Sequence, residues 1–278
     1  MTLNGTTLFK SIGIISLHVV VVAALVSGPS PADWLVFALI YPWAAIGVGV
    51  SMHRYFAHHA FRTSRAFQLV LAVMAALAFG NAVYFAGKHR LHHRYSDQQG
   101  DVHSPDQGFL QCWFGSLVDC GYSPEKIRER VQDHLKYPEL DWMFKNALAI
   151  PLALNLVLFL AGGFTMMAIG GCLSAVILLH QSSAVNYLCH CRGYRSFETT
   201  DNSRNNPVVA LLTFGEGWHN NHHRFQNSAQ SGMRWWEIDM FHWVICLFEA
   251  LGLIWDVKRV RFSRGPDYSL LLDATRGK

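Results

Sequence analysis

The sequence is short of charge. Of 278 residues only 15% are Asp, Glu, Lys or Arg while 51% are hydrophobic, whereas an ordinary soluble domain carries about 25% charged residues. That deficit excludes a disordered chain, argues against a cytosolic globular enzyme and places the protein in a bilayer. The Cys-x-x-Cys motif is absent. The six cysteines, Cys112, Cys120, Cys172, Cys189, Cys191 and Cys246, are scattered, which disfavours a zinc ribbon or a disulfide framework and leaves buried thiols. No repeat, low-complexity tract or separate soluble module is present, so residues 1–278 read as a single domain.

Basic residues are missing from two short loops, and that absence sets the topology. A helix needs about 20 apolar residues to cross some 30 Å of hydrocarbon. Five stretches come near this: Leu8–Val26, Trp34–Met52, Phe67–Ala86, Phe144–Gly162 and Phe164–Ser183. The first two are joined by Ser27–Asp33 and the last two by Gly162-Gly163, and none of the 23 Lys and Arg lies in either loop. Under the positive-inside rule these loops face away from the cytoplasm. Phe67–Ala86 is flanked on both sides by basic, His-rich sequence, so a crossing would put those flanks on opposite faces. It is therefore expected to lie at the interface or over a cytoplasmic head. Trp235–Trp255, interrupted by Glu237, Asp239 and Glu249, is expected to be a second interfacial amphipathic helix. The expected fold is an all-α integral membrane protein. Four transmembrane helices form two hairpins, with a His-rich helical head and both termini in the cytoplasm. Nucleic acid is not an expected partner, because the net charge of +4 is best explained by membrane sidedness.

Histidine is what the chain has in excess, 15 in all. They cluster as His53-Arg-Tyr-Phe-Ala-His58-His59, His89-Arg-Leu-His92-His93 and His219-Asn-Asn-His222-His223. Chance would yield His-x-x-His-His roughly 0.04 times in such a chain, and it occurs twice. Positions i, i+3 and i+4 share one face of a helix, so each such box is expected to offer three imidazoles to one point. His53 and His58 are about 140° apart on an α-helix, so that box must break or wrap. The three boxes together point to metal ligation, and eight or nine imidazoles exceed the three or four of one zinc site, so two metals are implied. His190, at the cytoplasmic end of the last span, is a further candidate ligand, with Asn186 one turn earlier on the same face. His18, His103, His134, His180 and His242, taken singly, read as ordinary core or surface residues.

These motifs resemble those of the integral-membrane acyl desaturases of the stearoyl-CoA desaturase type. The matching elements are His53-x4-His58, His89-x2-His92-His93, Asp101-Val-His-Ser-Pro105 and Gly215-Glu-Gly-Trp-His219-x2-His222-His223, and the likeness covers about residues 30 to 260. The resemblance implies two irons held by His53, His58, His89, His92, His93, His190, His219, His222 and His223, with Asn186 acting through a water. His59 is extra. Phe85 stands where the family often has Trp, and Gln111-Cys112-Trp113 is unusual.

Desaturation of an unactivated methylene requires a strong oxidant made from O2 and two electrons, sheltered from water. Such a site would sit above an acyl tunnel, with Phe37 and Tyr41 as candidate limits on chain length, or simply as lipid-facing or packing aromatics. Asp97, Asp101 and Glu216 are candidates to orient ligand imidazoles. Arg62, Arg65, Lys88 and Arg90 are candidates to meet coenzyme A phosphates, with anionic lipid headgroups the equal alternative. The expected product is a cis double bond, at carbon 9, in an acyl chain on coenzyme A or lipid. Electrons are expected from a separate cytochrome b5-like protein or ferredoxin and its reductase. A diiron hydroxylase shares the scaffold and is the nearest rival. A bis-His membrane cytochrome would need His pairs within the spans, where only His18 and His180 lie, and a metal transporter would need acidic groups there.

Overall fold

The computed structural model describes residues 5–101, 104–115, 121–262 and 270–271. Helix α1 (Gly5–Val26) leads to Ser30, which caps α2 (Pro31–Ile46): the Asp33 amide donates to Ser30 Oγ and the Ser30 amide donates to Asp33 Oδ2 at 2.7 Å. Pro31 completes this start, since its missing N–H would have had no partner there. The helix does not stop at Met52. It continues without interruption as a π-helix over Gly47–Ala57, which carries His53.

Two short helices replace the single one expected over 67–86. Helix α3 (Arg65–Ala76) ends, Phe79 takes a positive φ of 56°, and Asn81 starts α4 (Ala82–Tyr95) by accepting from the Tyr84 amide. The apolar pattern runs through both, which concealed the break; the Asn81 cap sets the second helix on a new course. Helix α3 packs along the π segment, where Ser51 Oγ donates to the Leu71 carbonyl and Gln68 donates to Tyr55 Oη. Gly47 permits that contact, because a Cβ there would stand 2.3 Å from the Met74 carbonyl oxygen.

Short helices α5 (Pro124–Glu129), α6 (Gln132–Leu135) and α7 (Pro138–Lys145) follow. Phe144 thus belongs to α7, not to a span. Helix α8 (Ala149–Thr165), a π segment at Met166–Cys172 and α9 (Leu173–Cys191) follow one another directly, but α8 is broken by a kink at Gly163, which leaves helical geometry with φ 77° and ψ −161°. Cys172 Sγ donates to Asn155 Oδ1 at 3.3 Å, although residues 17 apart on a straight helix would be about 25 Å distant. The chain therefore folds back at Gly163, a conformation open to glycine without a Cβ clash. Among the described residues three helical runs are long and apolar enough to cross a membrane, Thr7–Val26, Pro31–Ala57 and Ala149–Cys191, the last being this folded hairpin. Their outward faces, Ile15, Val19, Leu156 and Leu160 among them, are exposed, as lipid contact requires.

After α9 come α10 (Pro207–Leu212), α11 (His219–Arg224) and α12 (Met240–Ala250). The helix expected at 235–255 is confined to α12, because Asp239 caps it by accepting from the His242 amide. Among the described residues sheet is limited to two antiparallel two-residue pairs, β1 (Arg62–Thr63) with β2 (Ile254–Trp255) and β3 (Arg261–Phe262) with β4 (Leu270–Leu271). The main core lies where the π segment, α3, α4 and α12 meet, around Val50, Phe56, Leu71, Val83 and Ile245. It is the platform on which the histidines stand.

Candidate metal centre

The His53 box neither breaks nor unwinds. It widens. In the π-helix the His58 amide donates to the His53 carbonyl at 3.2 Å, the i→i+5 bond that closes one turn, so two residues that an α-helix would splay apart sit one above the other. His89, His92 and His93 come from α4, His190 from the end of α9, and His219, His222 and His223 from α11.

All nine are brought together, in two groups. His53, His58, His89, His93 and His222 form one; His92, His190, His219 and His223 form the other. Nε2 atoms touch along the first in the order His58, His89, His93, His222, His53, at 2.9, 3.0, 2.9 and 3.1 Å. In the second, His219 Nε2 is 3.1 Å from His190 Nε2 and 3.0 Å from His223 Nε2. The groups adjoin, the His93 and His223 rings being 4.5 Å apart. The expectation that each box serves one point is therefore corrected. In the second box His89 and His93 go one way and His92 the other; in the third, His219 and His223 part from His222. Positions i+3 and i+4 flank position i on opposite sides, about 100° from each other, so consecutive histidines aim at different centres.

Carboxylates fix the rings. His92 Nδ1 faces Asp101 at 2.9 Å, His190 Nδ1 faces Asp97 at 2.7 Å, and His223 Nδ1 faces Asp201 at 2.5 Å. His53 Nδ1 lies against Glu216 Oε2. A carboxylate holds the shared hydrogen on Nδ1 and leaves Nε2 bare. In the four-histidine group three rings are bare in this way. Only His219, whose buried Nδ1 has no hydrogen-bond partner among the described residues, can carry a proton on Nε2, and it can give that proton to just one of the two nitrogens it touches. A cation removes the leftover lone-pair contact. The residues fit a pair of metal ions.

Protonation is arranged for ligation. Burial, reinforced by neighbouring imidazoles, holds His58, His93, His219 and His222 well below the ordinary histidine range, and burial brings His223 down to about 4 although Asp201 opposes it. These rings are neutral at pH 7 and need lose no proton to bind a metal. Burial raises Asp97 and Glu216, but the hydrogen bond from His190 holds Asp97 below the ordinary carboxylate range, and the contacts with His53 and the Arg54 guanidinium do the same for Glu216.

A cavity of about 590 Å³, counted to its open mouth, runs beside both groups. Val48, Phe85, Leu178, Val185, Phe214 and Phe241 make it apolar, while His53, His89, His219 and Asn186 reach its wall. Tyr41 stands behind it: Gln181, on the cavity wall, donates to Tyr41 Oη at 3.0 Å, and Phe37 stacks on Tyr41 at 5.2 Å.

The basic candidates that can be followed have separate partners. Arg65 forks onto Glu139, and Arg62 is 76% exposed beside Asp256; Lys88 lies on α4. Arg90 is committed inward, donating to the carbonyls of Phe56, Ala57 and Arg130 and to Asp133. Around it lie His59 and His134, a third group with Asp133, but the Arg90 guanidinium, 2.7 Å from His59 Nε2, occupies the place a cation would take. Burial brings His134 down to about 4 against the pull of Asp133 and the Phe56 carbonyl. Its folded state refuses a proton that the unfolded chain accepts near pH 6.5, so this stability is full above pH 6.5 and is lost as pH falls toward 4, about 2 kcal/mol between pH 7 and 5. Unfolding measured at pH 7 and 5 should show a smaller drop in His134→Gln, whose amide can still donate to Phe56.

His18 and His180 touch within the spans, Nε2 to Nε2 at 3.0 Å, with Trp113 donating to His180 Nδ1; no porphyrin fits between rings in contact. His242 approaches Cys246, and His103 lies outside the described residues. Two features escaped sequence reasoning. Asp201 belongs to a polar run, Thr199–Asn206, whose length in so apolar a chain was the available signal. Buried Asn205 accepts from the amides of Asn220 and Asn221 and thereby holds the six-residue α11, too short to persist alone.

Comparison with known proteins bears on this geometry. The chain is 36% identical to the Delta-9 acyl-lipid desaturase 2 of Arabidopsis thaliana over 82% of its own length and 75% of the relative's. It is 35% identical to the icosanoyl-CoA 5-desaturase of Limnanthes douglasii over 92% and 73%. A third relative is the hex-5-enoyl-[acyl-carrier protein] acetylenase of Moorena producens, 37% identical over 79% and 75%. The fatty acid desaturase family profile matches residues 32–251, from the start of the second apolar helix to just past α12. Paired histidine clusters beside an apolar cavity, a membrane-length helical scaffold and this match over most of the chain lead to one conclusion: the protein is an oxidoreductase that belongs to the fatty acid desaturase family.

Proposed function

We propose that the protein is an O2-dependent fatty acyl desaturase that uses two iron ions to place a cis double bond at carbon 9 of a saturated chain carried on coenzyme A or lipid. The observation that carries this reading is the division of nine imidazoles into a group of five and a group of four beside one apolar cavity. His53, His58, His89, His93 and His222 would hold one ion; His92, His190, His219 and His223 would hold the other, with Asn186 on the cavity wall contributing through a water. When bound, the irons supply the O2-derived oxidising power needed to take hydrogen from two neighbouring methylenes.

The protein's own part is placement. Val48, Phe85, Leu178, Val185, Phe214 and Phe241 strip water from the acyl chain and align it past both groups, which reduces the orientational freedom of the reacting carbons. Tyr41, latched by Gln181 and backed by Phe37, would limit how far the methyl end extends. Glu216, Asp97, Asp101 and Asp201 keep their imidazoles turned toward the centre. With the hairpin folded at Gly163 the chain would cross the membrane four times and keep the head and both termini in the cytoplasm, where a separate electron carrier of the cytochrome b5 or ferredoxin kind would dock. Outward-facing Trp235, Trp243, Leu247, Val208 and Leu211 would seat the head on the bilayer surface.

Expression in a desaturase-deficient host, with double-bond mapping of its fatty acids, tests the reading. A new cis monoene at carbon 9 is the expected result. A hydroxylated chain as main product would reassign the chemistry.

A further inference from the structure

The two histidine groups differ in the anions behind them. Three of the four rings in the smaller group back onto carboxylates: His92 on Asp101, His190 on Asp97 and His223 on Asp201. Those carboxylates are themselves held. Asp97 Oδ2 accepts from the Asn202 amide, Asp101 Oδ2 from the Asp97 amide, and Asp201 Oδ1 from the Ser203 amide and the Thr199 hydroxyl. In the group of five, His53 meets Glu216, while His58, His93 and His222 meet no carboxylate among the described residues. Glu216 is moreover shared with the Arg54 guanidinium, which draws off part of its charge.

An imidazole whose Nδ1–H points at a carboxylate is the stronger electron donor, and it favours the more highly charged metal ion. Resting on the diiron reading above, we infer that the two ions are electronically unlike. The four-histidine ion holds its ferric state to the lower potential, and the first electron delivered to the diferric protein enters the five-histidine ion. Asp97, Asp101 and Asp201 are the positioning residues that create this difference. In each step one ferric ion takes one electron from the reductant and becomes ferrous, with no bond made or broken in the ligands.

The test uses the full chain in detergent or nanodiscs, loaded with iron-57, titrated with dithionite and followed by Mössbauer spectroscopy. Wild type should reduce in two separated one-electron steps, with one ferrous and one ferric ion at the midpoint. Asp201→Asn should narrow the separation by raising the lower step, and Glu216→Gln should widen it by raising the upper one. Where Asp201→Asn weakens iron binding, expected to be about 10- to 100-fold at that ion alone, Asp97→Asn reports on the same step. A single two-electron step in wild type, or the same step moving in both the aspartate and the glutamate variants, overturns the inference while leaving the diiron reading intact. Absence of iron from the wild-type protein overturns that reading itself, and the inference with it.

Discussion

His222→Ala should abolish the monoene, a loss of at least about 100-fold in product, and should cut bound iron from two ions per chain toward one. His222 Nε2 stands 3.1 Å from His53 Nε2 and 2.9 Å from His93 Nε2; it closes the five-histidine group from α11, the histidine-bearing element of that group farthest along the sequence from His53. Without it, π segment and α4 no longer share a partner across the site. The paired control is the adjacent couple on α4: His93→Ala should empty the same site as His222→Ala, and His92→Ala the other. Product analysis by gas chromatography with iron determination on the purified variants decides the matter. Monoene formed at wild-type levels by His222→Ala, or one and the same ion missing from both His92→Ala and His93→Ala, would contradict the partition.

Arg54→Met should cost about 3–5 kcal/mol of stability, the largest effect expected outside the histidines. Arg54 is buried within the π segment. One guanidinium nitrogen donates to the Ala229 carbonyl, and the other to Glu216 Oε1 and Asp239 Oδ1, each at 2.9 Å. Taking away the cation leaves two carboxylates without their charge partner in the interior. Its reach is wide: Asp239 also accepts from the amides of Ser231 and Gly232 and caps α12, and Glu216 turns His53. Arg54→Lys should fall between wild type and Met, because an ammonium keeps the charge but cannot fork to three acceptors. Denaturation of the purified protein in detergent measures both, and a Met variant within 1 kcal/mol of wild type would refute the assigned role.

Two of the boxes were legible because a run of three imidazoles within five residues is rare, and the apolar runs because bilayer thickness imposes a length. Helix ends were less so. Asn81 and Asp239 each start a helix inside a stretch that reads as one apolar element, and a cap is a local hydrogen bond that hydropathy does not register. The π-helix lay hidden for a similar reason: spacing said that His53 and His58 could not share an α-helical face, but a break, a wrap and a widened turn all satisfy that condition. Asp201 drew no attention because its partner, His223, is 22 residues away and only the packing of α11 against Asn205 brings them together.

By itself, then, the order of residues determined that this chain has runs long and apolar enough to cross a membrane, that its loops fall into two classes by charge, and that nine imidazoles are candidates to hold metal, since length, charge and ligand type are properties each residue carries wherever it is placed. Only the tertiary structure decided which imidazoles stand together, which carboxylate backs each ring, and which apolar walls run beside them. Those are matters of direction, and a side chain's direction is set by the turn of its helix and by what that helix packs against.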